Sequence, residues 1–136
     1  MREMNSQQFG LCDIQGRLFE LALKNGYDCK DFIEKFMNSK TAEALDEPYD
    51  RLQWAGEEYI LEELIDEVEG IKKAGTIYHN EIMYWSGYTY RYWRYYTGEN
   101  SKKIYAIANI ETMATGYPGL HTLDVKMAID RLKKQA

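Results

Sequence analysis

Residues 83–99 read MYWSGYTYRYWRYYTGE, and eight of the thirteen positions from Tyr84 to Tyr96 are tyrosine or tryptophan. The period of this run decides what it is. At about 100° per residue, Tyr84, Trp85, Tyr88, Tyr92, Trp93, Tyr95 and Tyr96 fall with Ile82 within about half of a helical circumference. Gly87, Arg91 and Arg94 take the other side, and only Tyr90 is displaced from the stripe. A strand would instead mix Gly87, Arg91 and Arg94 with Trp85, Trp93 and Tyr95 on one face, and the run is long for a strand. The spacing therefore predicts a long aromatic helix near residues 80–97, started by Asn80 and stopped by Gly98. Its stripe reads first as a packing face whose phenol and indole tips need polar partners. Rigid aromatics beside arginine are also the anchors enriched in protein interfaces, which makes Tyr88, Tyr90, Arg91 and Arg94 the candidate partner contacts.

The flanking sequence is helical by the same criterion. Toward the N-terminus, Phe9, Cys12, Gly16, Phe19 and Leu23 recur at three-to-four spacing, and Gly26 follows as a stop. Asp28 stands as the N-cap of a second helix carrying Phe32, Ile33, Phe36 and Met37. Ser39 and Asp46 are the next cap candidates, and Pro48 suits the first turn of the stretch DEPYDRLQWAGEEYILEELIDEVEG. Along it Tyr49, Leu52, Ala55, Tyr59, Leu64, Ile65 and Val68 can face inward, with Gly56 weakening an unbroken rod. Beyond Gly98, Ser101, Asn109 and Thr122 are expected to cap three short helices, with YPG at residues 117–119 as a turn. The expected fold is all-α: one domain over residues 1–136, a bundle of about six or seven helices with short connections.

Charge divides the chain unevenly. Residues 1–75 carry nine Lys or Arg against seventeen Asp or Glu, a balance of −8, while the aromatic residues 76–136 carry eight against five, a balance of +3. An acidic chain is poor material for binding nucleic acid through counterion release, so only the second half could hold such a footprint. There the segment near residues 101–116 has a helix-turn-helix cadence, and a DNA-binding transcriptional regulator is the alternative function it raises. Yet IETMATGY contains Glu111 and no arginine. The opening residues lack an apolar signal core and no stretch approaches a membrane span, so a cytoplasmic protein without a membrane partner is expected. Cys12 and Cys29 are accordingly expected as reduced thiols.

Catalytic and metal chemistry lack a residue supply. His79 and His121 are the only histidines, neither stands at a ligand spacing from another histidine or cysteine, and no zinc, P-loop, dinucleotide or serine-hydrolase signature is present. No catalytic residue, metal or cofactor is expected. The i, i+4 carboxylates from Glu57 to Glu67 read as a solvated acidic face able to steer a basic partner. His121, between the YPG turn and Thr122, reads as a turn hydrogen-bonding residue.

The blocks CDIQGRLFELA, FMNSKTAEALD, LQWAGEEYILEEL, YWSGYTYRYW and YTGENSKKIY resemble a family of small helical bacterial proteins found mainly in gut Firmicutes. The closing block SKKIYAIANIETMATGYPGLHTLDVKMAIDRL also resembles short helical proteins that precede toxins similar to ADP-ribosyltransferases. Tyr117, then Leu120, His121 and Thr122, then Asp130 on a helix carry that pattern. The resemblance implies a non-enzymatic, antitoxin-like or accessory component that binds a partner protein, with a toxin encoded by a neighbouring gene as the partner. Tyr117 and His121 join the candidate partner contacts on this basis. A homodimer sharing the aromatic helix stays open.

Overall fold

Over residues 3–136, which the computed structural model describes, the chain forms eight α-helices and one 3-10 turn. They are α1 (Ser6–Lys24), α2 (Cys29–Met37), α3 (Lys40–Asp46), the 3-10 turn Arg51–Trp54, α4 (Glu57–Val68), α5 (Asn80–Thr97), α6 (Ser101–Ile107), α7 (Ile110–Leu120) and α8 (Val125–Gln135). The only β pairing among the described residues is an isolated bridge between Tyr27 and Lys73. The fold is the all-α bundle that the periodicity predicts.

Short polar side chains set the helix starts, because the first backbone amides of a helix have no partner inside it. Asn5 and Gln8 form a reciprocal capping box on α1, Asp28 caps α2, Ser39 caps α3 and Asn109 caps α7. Three starts differ from the sequence expectation. His79, not Asn80, caps α5, its Nδ1 accepting from the Glu81 amide at 3.2 Å; Asn100 replaces Ser101 on α6, and Asp124 replaces Thr122 on α8. Residues 46–70 are not one near-continuous helix. A 3-10 turn is followed by Gly56 at φ 84°, a conformation that glycine tolerates and that breaks the chain direction before α4. Tyr49 (88% exposed) and Tyr59 therefore face solvent rather than the core, as does Trp54 (75% exposed). Pro118 lies inside the last turn of α7 instead of forming a turn after it.

Helix α5 packs most extensively on α1 and also meets α6, α7 and α8, and it is buried on more than its aromatic stripe. Gly87 and Arg91, assigned by period to the outer face, are both buried against α1. The reason is glycine: a Cβ on Gly87 would lie 2.5 Å from the Gln15 carbonyl oxygen, and one on Gly16 would lie 2.7 Å from the Tyr84 ring. The absence of both Cβ atoms lets the two backbones approach closely, and Gln15 then donates from Nε2 to the Gly87 carbonyl at 2.9 Å. α5 contributes Tyr92 and Trp93 from its stripe, and Tyr90 from beside it, to a core shared with Phe19, Phe32, Phe36, Ile104, Met113 and Ile129. Cys12 and Cys29 are free thiols buried in it, and burial pushes the Cys12 thiol up to about 12.

Arg91 closes this contact. Its guanidinium is 1% exposed and meets Asp46, 7% exposed, at 2.7 Å. Nε donates to Gln15 Oε1 at 2.9 Å, and Asp46 also accepts from the Ser101 amide at 2.9 Å and hydroxyl at 2.8 Å. One buried network thus ties α1, α3, α5 and α6 together. Asp46 is therefore an ion-pair residue at the end of α3 and not a helix cap.

Gly87→Ala should destabilise the protein by about 2 kcal/mol or more, since the new methyl meets backbone that cannot swing away. Gly10→Ala, with nothing within 4 Å of the new Cβ, should stabilise it by roughly 0.5–1 kcal/mol. Arg91→Met should cost about 3–5 kcal/mol by stranding Asp46, and adding Asp46→Leu should recover part of that loss. Urea denaturation of the four variants decides this, and costs below about 1 kcal/mol for Gly87→Ala and Arg91→Met would reject the packing and pairing described.

Candidate functional site

The six partner contacts expected from sequence do not form one surface. Tyr90 and Arg91 are each 1% exposed, Tyr90 donating its hydroxyl to the Ala108 carbonyl at 2.7 Å and Arg91 sitting in the network above. Both are corrected to core residues: their polar atoms find partners inside the chain, so neither reaches a partner protein. Arg94 is half-buried at another place, where Nε donates to the Asp46 carbonyl at 3.1 Å and Nη1 to the Gly98 carbonyl. It lines a polar hollow with Gln7, Gln8, Tyr49, Gln53 and Tyr95.

Tyr88, Tyr117 and His121 do come together. They line a cleft of about 410 Å³ with Tyr84, Trp85, Glu20, Asn80 and Glu81. Three helices build it. Tyr84, Trp85 and Tyr88 share the outward edge of α5 at the i, i+1, i+4 spacing, and α1 brings Glu20. α7 supplies Tyr117, and its C-cap His121 follows four residues later on the same side. That second pair exists because Pro118 is accommodated within the helix.

The walls are held by specific contacts. Trp85 and Tyr117 pack edge to face at 5.5 Å between centroids, and the Tyr117 and His121 rings stack at 4.4 Å with planes 16° apart. Tyr84 and Tyr88 lie 6.0 Å apart. The His121 Nδ1 is 2.8 Å from the Tyr117 carbonyl, which only accepts, so in the neutral ring Nδ1 carries the proton and Nε2 is an acceptor. His121 is thus held by a helix-end carbonyl rather than by a YPG turn. Tyr117 reaches Glu81 Oε2 with its hydroxyl at 3.3 Å, Asn80 Nδ2 donates to Glu20 Oε2 at 2.6 Å, and Tyr84 donates to Asp13 Oδ1.

These phenols resist ionisation. Burial raises the Tyr84 pKa, and its bond to the Asp13 carboxylate raises it further; burial is likewise the main cause of the upward shifts of Tyr88 and Tyr117. The cleft therefore presents un-ionised phenols beside the Trp85 indole, with carboxylates at the rim. Among the described residues no three His, Cys, Asp or Glu side chains gather into a group able to hold a metal, and no helix is long and apolar enough to cross a membrane.

Of the aromatic stripe, sequence reasoning places only Tyr88 among the candidate contacts, omitting the neighbouring cleft residues Tyr84 and Trp85, and it does not name Glu20, Asn80 or Glu81 as contacts. A signal for the rings was present: the Tyr84, Trp85, Tyr88 edge and the Tyr117, His121 pair each follow helical spacing. The helix-turn-helix segment corresponds to α6 and α7, joined by Ala108 and Asn109. α7 carries no lysine or arginine, and its Ile110 and Met113 are core residues, so it offers no cation for phosphate contacts. No known protein family matches the chain, and no curated protein or solved structure matches it either.

A phenol that ionises less readily folded than unfolded makes stability fall as pH rises past its unfolded value of about 10. The folded protein should accordingly retain un-ionised tyrosine at about pH 11, and its urea midpoint should drop progressively above about pH 10. Phenolate absorbance and urea denaturation measured across this range check both, and ordinary titration with an unchanged midpoint would contradict the assigned burial.

Proposed function

We propose that the protein is a non-enzymatic binding module that engages a partner protein through the cleft between α5 and the end of α7. The observation that carries this reading is the concentration of Tyr84, Trp85, Tyr88, Tyr117 and His121 around one open concavity. Interface energy concentrates where rigid aromatic groups form a pocket that a partner side chain can fill and dry. Neighbouring ring contacts and hydrogen bonds already hold these side chains, so little rotamer freedom remains to be lost on binding.

The acidic residues of α4 complement this role. Glu58, Glu62 and Asp66 are exposed on it, and such a face accelerates encounter with a basic partner. Glu67 does not belong to that free face, because its carboxylate accepts from the Lys40 and Thr41 amides at 2.7 and 2.9 Å and fixes α4 to the start of α3. The antitoxin-like resemblance rests on the block that supplies Tyr117 and His121, and it makes a toxin encoded nearby the first partner to seek.

Affinity recovery of the tagged protein from its host, at physiological salt with nuclease present, should yield a stoichiometric partner protein. Tyr88→Ala and Tyr117→Ala should each weaken that complex by about 2 kcal/mol, roughly 30-fold, with unchanged circular dichroism. Recovery of the protein alone, or variants that hold the partner as tightly as the parent, would overturn the reading.

A further inference from the structure

The rings of the cleft and the carboxylates at its rim point to one chemistry. We infer that the cleft receives a cation, the side chain of an arginine presented by the partner protein; this rests on the protein-binding reading above. Aromatic faces carry negative potential, and a guanidinium lying over Trp or Tyr within about 6 Å is attracted to it while its planar face stacks. Trp85, the best such surface among side chains, stands here with Tyr84, Tyr88 and Tyr117 in one concavity. The arginine stem supplies methylene groups for the apolar walls, and its head has forked donors for the rim.

The rim is suited to that head. Glu20 and Glu81 both line the cleft, and neither forms an ion pair with any described lysine or arginine. Their neighbours are the neutral donors Asn80 and Tyr117, each using one oxygen of its carboxylate. The cation–π pairs within the chain, Lys73 over Tyr27 and Lys126 over Tyr96, lie elsewhere.

The charge continues beyond the cleft. A second hollow of about 440 Å³ shares Glu20 and Asn80 with it and adds Glu57 and Glu58 from the start of α4. Arg17 and Lys24 line this hollow too, but Arg17 is paired with Asp13 at 2.8 Å. Glu57 has one carboxylate oxygen without a hydrogen-bond donor. A basic segment whose arginine fills the aromatic cleft would therefore extend over Glu20 toward carboxylates. An acidic or purely apolar segment would meet Glu20 and Glu81 with no compensation.

The test uses the full chain and two small probes that share shape and differ in charge: Nα-acetyl-arginine amide and its neutral counterpart Nα-acetyl-citrulline amide. The indole N–H resonances are followed by NMR, with Trp85 assigned through Trp85→Phe and exposed Trp54 as the reference outside the cleft. The arginine probe should shift the Trp85 resonance saturably and bind on the order of 10-fold more tightly than the citrulline probe. Glu20→Gln combined with Glu81→Gln, which preserves hydrogen-bond acceptors, should abolish that preference. Equal binding of the two probes, no saturable shift, or a preference that survives the double substitution would overturn the inference. A partner protein retained through Tyr88 and Tyr117 by a protein without this preference would overturn the cation alone. A preference without any retained protein would instead overturn the partner protein as the cation's source, and the binding-module reading with it.

Discussion

A single guanidinium, that of Arg91, sets the relative positions of four helices. It reaches Gln15 on α1, Asp46 at the end of α3 and Ser101 at the start of α6 from the middle of α5. Removing a charge from water costs several kcal/mol, and the attraction of a buried partner offsets this only when the remaining donors and acceptors are also satisfied. Here the carboxylate has the Ser101 amide and hydroxyl as well as the arginine, which meets that condition. Lysine would not substitute, because a single ammonium cannot present separate donors to Gln15 and Asp46 in a planar fork. Such a network specifies an arrangement more than it adds stability. An alternative packing of α3 or α6 would leave Asp46 or Arg91 buried and alone.

The same constraint places the aromatic cleft. With Gly87 against Gln15 and Arg91 anchored, α5 cannot rotate on α1, so Tyr84, Trp85 and Tyr88 are fixed at its outward edge. The opposite wall depends on α7, whose Ile110 and Met113 are held in the core while its last turn carries Tyr117 over Trp85. α8 secures the other end of α5: Tyr96 donates to Asp130 at 2.9 Å, and Glu99 accepts from both Trp93 Nε1 and Lys133. Asp130, the acidic residue of the closing block, thus has a structural partner and stands apart from Tyr117 and His121.

Much of the helix content was legible because periodicity is local, and α5 is plain in the aromatic spacing. What that spacing could not convey was which side of α5 meets α1. Arginine and glycine read as a solvent face until a carboxylate 45 positions away in sequence and a second glycine on α1 are brought against them. Cap positions slipped by one or two residues because neighbouring Asn, Ser, Asp, Thr and His side chains can all accept from a free amide, and tertiary contacts choose among them. Ser101, for example, is engaged by Asp46, leaving Asn100 to cap. Tyr88, Tyr117 and His121 were legible as unusual residues, but their meeting depends on a proline-containing helix end that reads locally as a turn. Tyr90 and Arg91, candidate contacts by residue type, are buried because their polar atoms are satisfied by groups distant in sequence.

The seam between α1 and α5 also governs when the chain can fold. Gln15 and the Gly87 carbonyl, joined across that seam, are 72 residues apart. During synthesis from the N-terminus, the first three helices emerge long before the surface that covers them, and their phenylalanines and both thiols stay accessible until α5 follows.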